Sequence, residues 1–192
     1  MAIALFISEQ YIKDLSYVDE NVDVKLLRSV IKEAQEIHIK TLLGTALYDQ
    51  LITQVTNNTV GTGTISNKTL LDDYIQPALA YWTLFEGCDV LTFKIMNKSI
   101  VKRTSGENIP IETTDVVRLM GKFRDKAEWY SERLRLFLVE NTETFTLYLN
   151  PGTGADTIHP KSNVYSGGIW LGGTKTSKSI IDRYENNDCG DY

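Results

Sequence analysis

The stretch Leu70-Leu-Asp-Asp-Tyr-Ile75-Gln-Pro-Ala-Leu-Ala80-Tyr-Trp-Thr-Leu-Phe85-Glu-Gly-Cys88 decides the fold. Read as part of one helix from Lys68 to Met96, capped by Asn67, it has apolar residues almost all round the wheel: Leu71, Tyr74, Ile75, Ala78, Tyr81, Trp82, Phe85, Cys88, Leu91, Phe93 and Ile95. A helix without a polar face belongs at the centre of a bundle. Pro77 has no N–H to donate, so it either kinks this helix or marks its true start.

Amphipathic helices flank the central one. Ser8 is a good N-cap for a short helix through Leu15. A longer helix from about Val22 to Leu43 carries Leu27, Val30, Ile31, Ala34, Ile37 and Leu42 at helical spacing, and Gly44 suits its C-terminal stop. A brief helix from Ala46 to Val55 ends in the turn-rich Asn57–Gly63. Residues 97–112 break the pattern. Ser99–Thr104 followed by Ile109-Pro110-Ile111 reads as a short hairpin or loop excursion, with Pro110 restricting any strand to an edge. The last helix begins at Thr113 or Thr114 and ends near Val139–Asn141. Val116, Leu119, Met120, Phe123, Ala127, Tyr130, Leu134 and Phe137 recur along it at spacings of three and four. Phe145, Leu147, Tyr148 and Leu149 then turn back onto the body. The expected fold is all-α: a small helical bundle over residues 1–150 with a hairpin or loop excursion.

Residues 151–192 form a second region, an extended Gly-rich C-terminal arm. It holds seven of the thirteen glycines (152, 154, 167, 168, 172, 173 and 190) and two of the four prolines. Its few aliphatic residues cannot offset the entropy of ordering it alone. Yet Tyr165, Ile169, Trp170, Leu171, Ile180, Ile181 and Tyr184 are set out as bulky anchors that a plain spacer would not need. Such an arm is ordered by lying on a partner, so the chain reads as part of an assembly.

A second binding signal lies on the last helix. At 100° per residue, Arg118, Lys122, Lys126 and Arg133 fall within one arc with Trp129 in its middle. One reading is a solvated charged face; the other is a contact face, since Trp and Arg are enriched at interfaces. An acidic surface would be complementary to it, such as Asp19, Glu20 and Asp23, or Glu33 and Glu36 on the second helix.

Composition bounds the function classes. The 192 residues are 42% hydrophobic and 23% charged, ordinary globular values. A net charge of −5 and a pI near 5.1 argue against general affinity for nucleic acid or anionic membranes. The first residues have no basic region and too short an apolar run for a signal peptide or membrane span, so synthesis in a cytoplasm is expected. Cys88 and Cys189 imply no disulfide framework. His38 and His159 stand alone, giving no zinc-ligand spacing and no catalytic pair. Gly167–Thr176 lacks the Walker spacing of a phosphate loop. No catalytic, metal or cofactor site is therefore expected.

The order of elements resembles the head-to-tail adaptor (connector) proteins of tailed bacteriophages. The similarity rests on Phe6-Ile-Ser-Glu9, Leu42-Leu-Gly44 with Ala46-Leu-Tyr48, Tyr74–Trp82, Ala127-Glu-Trp-Tyr130, Arg133–Leu138, and Phe145 with Tyr148. It covers about residues 5–150. The tail is unlike compact adaptors and is more similar to the extended arms of ring proteins in larger virions, such as crAss-like phages. The resemblance implies a virion protein at the portal–tail junction, made in the host cytoplasm. It would form a homo-oligomeric ring, usually a dodecamer, bound to the portal protein and to neighbouring ring or tail proteins. DNA would pass through its channel without specific recognition, and no membrane would be involved. Two alternatives stay open: a small helical DNA-packaging or regulatory DNA-binding factor, and a small enzyme with a site near Tyr74, Tyr81, Trp82 and Cys88.

Overall fold

The computed structural model describes residues 4–16, 18, 21–61, 65–95, 100–102 and 112–160. They form an all-α bundle with one short two-stranded excursion. Helix α1 spans Glu9–Leu15, with the Ser8 hydroxyl accepting from the Tyr11 N–H at 3.1 Å. Helix α2, Val24–Ala34, is capped by Asp23 and runs through a π-helical turn, Gln35–Ile39, into α3, Lys40–Leu43. Helix α4 spans Thr45–Thr56. The short α5, Asn67–Thr69, passes through a second π turn, Leu70–Ile75, into α6, Gln76–Thr92. Helix α7 spans Thr113–Glu140 and α8 spans Thr146–Leu149.

Helix α6 is the central element. It buries Ala78, Leu79, Ala80, Thr83, Leu84, Gly87 and Cys88, and packs between α2 and α7. Burial pushes the Cys88 thiol up to about 11, so it behaves as a small core hydrophobe. The cap of this stretch is Ser66, whose hydroxyl accepts from the Thr69 N–H, rather than Asn67. Pro77 marks a start, not a kink: it lies in the first turn of α6, after the π turn. The stretch also ends earlier than Met96. Phe93–Ile95 leave the helix as strand β1, which pairs antiparallel with β2, Ile100–Lys102, in the register Phe93 to Lys102. The excursion thus pairs Ile100–Lys102 with the end of the central stretch; residues 109–111 lie outside the described residues.

The first π turn changes which side chains reach the core. A π turn holds more residues than an α turn, so the wheel is out of phase beyond it. Ile37, expected in the core from regular spacing, is 50% exposed, while Gln35, Ile39 and Leu43 are buried. Gln35 is fully used there. Its amide oxygen accepts from the Phe6 N–H at 2.8 Å, and its amide nitrogen donates to the Ala4 carbonyl and to the Tyr48 hydroxyl. Tyr48 in turn donates to Glu36 at 2.8 Å, and its burial pushes the phenol well above its usual range. This polar joint ties the N-terminal segment and α4 to α2, and no buried side-chain polar atom among the described residues is left without a partner.

Glu112 occupies the N-cap position of α7, without a side-chain cap bond, in place of Thr113 or Thr114. Phe145 and Tyr148 return to the core as expected, whereas Leu149 is 63% exposed. Residues 151–160, assigned to the arm on composition, come back to the bundle. The Ile158 carbonyl accepts from the Thr45 N–H at 3.0 Å, and the Ile158 N–H donates to Thr45 Oγ1 at 2.8 Å. Pro160 lies over Gly44, where an added Cβ would meet its ring at 2.8 Å. Gly44 has φ +78° and ψ 161°, a region open essentially to glycine alone. Gly44→Ala is expected to cost about 2 kcal/mol, read as a lower urea midpoint with an unchanged slope. A neutral substitution would mean that Gly44 does not hold this conformation and that Pro160 does not cover it.

Candidate docking face on α7

Helix α7 buries Val116, Ala127, Ser131, Leu134 and Leu138 and turns most of its remaining surface to solvent. Its sequence is amphipathic with too many large side chains for one buried face. Val117 is 62% exposed, Trp129 61% and Leu136 49%, and Leu119 and Val139 are also exposed. Leu119 therefore belongs to the outer face, not to the core spacing in which the sequence places it.

Arg118, Lys122, Lys126, Trp129 and Arg133 all lie on this outer surface, on one side of the helix. Two of the four cations lean on aromatic rings of the central stretch. Arg133 stands 4.6 Å above the Tyr74 ring, and Lys126 Nζ lies 5.3 Å from the Tyr81 centroid. Arg133 also donates to the Asp73 carbonyl at 3.4 Å. In α-helical register that carbonyl would serve the residue four positions on, which is Pro77 and has no N–H to give. Arg118 and Lys122 make no ion pair among the described residues. The other arginines of α7 are engaged locally, Arg124 with Glu128 at 2.7 Å and Arg135 with Glu132 at 2.5 Å.

Towards the C-terminal half of α7 the stripe becomes a groove of about 350 Å³. Trp129, Arg133, Leu136 and Glu140, spaced four, three and four apart, form its long wall, with Glu132 and Phe137 beside them and Tyr74 opposite. Tyr74 is stacked on Phe137 at 4.0 Å, which fixes the apolar floor. Leu136 and Glu140 lie on the same side of the wheel as Trp129, C-terminal to the basic residues. Tyr74 was not legible, because only packing brings the π turn beside α7.

The acidic counterpart expected on the second helix is not a simple acidic face. Glu33 is exposed, but it shares the solvent side of α2 with Lys25, Arg28 and Lys32. Glu36 is engaged with Tyr48 and lies 3.7 Å from Lys40. His38 is a packing residue: its ring is stacked on Trp82 at 3.7 Å and 5°, and its Nε2 meets Glu86 Oε1 at 2.7 Å. Among the described residues no group of three His, Cys, Asp or Glu side chains could hold a metal ion. No helix among them is long and apolar enough to cross a membrane. The arm residues Tyr165, Ile169, Trp170, Leu171, Ile180, Ile181 and Tyr184 lie outside the described residues, whereas His159 is described and exposed.

No curated protein and no solved structure matches this chain. A family model does match, over residues 39–158, from within the first π turn to the residue that clasps Thr45. That is more than half of the chain, which therefore belongs to the family of unknown function DUF6712.

Proposed function

We propose that this protein is a structural subunit of a tailed-phage virion, forming a ring at the portal–tail junction that extends the DNA channel and gives tail components a docking surface. The observation that carries this reading is the outer face of α7, where Trp129 and Leu136 stand exposed beside cations with no acidic partner of their own among the described residues. A head-to-tail ring needs two different faces on each subunit, and a long one-sided helix on a compact bundle supplies one of them. An acidic chain without a base-reading element suits a wall past which DNA slides.

Sedimentation velocity and negative-stain microscopy of the purified chain, alone and with its portal protein, test this directly. Rings are the expected result. A monomer that binds DNA with a steep salt dependence would replace the proposal by a DNA-binding factor. Lys122→Glu combined with Lys126→Glu is expected to abolish ring closure while lowering the stability of the free protein by no more than about 1 kcal/mol, the value of the Lys126–Tyr81 contact that is lost. One exposed ion pair contributes only about 0–1 kcal/mol, but its reversal adds repulsion at every joint. Normal rings from the doubly reversed protein would make the stripe a solvated face.

A further inference from the structure

We infer that the α7 groove and the basic stripe beside it are the seat of residues 180–191 from a neighbouring copy of this chain. This inference rests on the assembly proposed above and names the contact that would hold it together. The chain continues for thirty-two residues beyond the last described one, Pro160, and its closing part has the two chemistries that α7 displays.

The match is one of order as well as kind. Ile180, Ile181 and Tyr184 come first and are apolar; Glu185, Asp188 and Asp191 follow and are acidic. With Asp182 and Arg183 included, residues 180–191 carry four acids against one base. On α7 the apolar groove at Trp129 and Leu136 lies towards the C-terminus, and Lys126, Lys122 and Arg118 lie towards the N-terminus. The segment would therefore run antiparallel to α7, with its aliphatic anchors against Trp129 and Leu136 and its acids along the cations. Only Asp125 breaks the positive half of that stripe. The lengths agree. Eleven extended steps reach about 36 Å, and α7 rises about 33 Å from Arg118 to Glu140.

A neighbouring copy, rather than the same one, is the donor because a heterologous contact of this kind links each subunit to the next and closes around a ring. It also multiplies a weak contact around the circle, so modest anchors suffice.

The test places a photoreactive benzophenone amino acid at position 129 of the full chain, an exposed site whose replacement leaves the core untouched. Unlabelled and ¹⁵N-labelled proteins are mixed, assembled, irradiated and digested for mass spectrometry. Mixed light–heavy cross-links from position 129 to residues 180–184 are the expected result. Lys122→Glu with Lys126→Glu should remove most of them, and reversing Glu185, Asp188 and Asp191 to Lys in that background should restore them. Cross-links only within one isotope label, cross-links to another segment, or none at all would each overturn the inference. Sedimentation of the same samples reads the assembly separately. A ring whose cross-links land elsewhere overturns the docking and leaves the ring. Mixed cross-links in an open chain or dimer keep the docking and overturn the ring.

Discussion

Leu79→Ala is expected to lower the unfolding free energy by about 2–5 kcal/mol, because the void it leaves cannot collapse. Leu79 is completely buried on α6, where that helix lies between α2 and α7. The side chains one turn away, Ile75 and Thr83, are themselves buried, so the space can be filled only in part. Urea unfolding followed by circular dichroism measures it, and the spectrum should remain helical throughout the native baseline. A loss below about 1 kcal/mol would place the centre of the bundle elsewhere.

Trp82→Ala is expected to cost about 3 kcal/mol, at the lower end for tryptophan since the ring is only partly covered. The indole joins three helices. Its Nε1–H donates to Ser131 Oγ at 2.8 Å on α7, its face carries the His38 ring from the π turn after α2, and Phe85 meets its edge at 5.8 Å. Truncation leaves the buried Ser131 hydroxyl without its donor and His38 without a plane to lie on. Trp82→Phe keeps an aromatic plane for His38 but loses the N–H and part of the ring's area, so it should cost less than Trp82→Ala, about 1–2 kcal/mol. If the two variants melt alike, the stack contributes nothing and the hydrogen bond carries the joint.

Most of the bundle was legible because its helices announce themselves at their ends. Ser8, Gly44 and the turn after Val55 stand where the helices begin and stop. The misplaced core positions of the second helix have one physical origin. A wheel drawn at a fixed 100° assumes one unbroken hydrogen-bond register, and the turns at Gln35–Ile39 and Leu70–Ile75 do not keep it. Ile37 was lost to solvent on that account, and Gln35 entered the core with three hydrogen bonds that no hydropathy pattern announces. The same limit applied to the docking face. Trp129 and Arg133 followed from spacing within one helix, whereas Tyr74, their partner across the groove, required knowing which elements touch. Glu36 showed the converse: a surface charge by pattern, it is claimed by Tyr48 and Lys40.

The clasp between Thr45 and Ile158 sets the order in which the body can be completed. Gly44 offers no side chain to cap α4, so the first amide of that helix waits for a carbonyl 113 positions further along the chain. During synthesis the residues of the α3–α4 corner emerge early, but this bond cannot form until Ile158 has followed α6 and α7 out. Such a long-range closure is slow relative to helix formation. The corner is thus closed by the last described residues of the chain, and only when every element between Thr45 and Ile158 is already present.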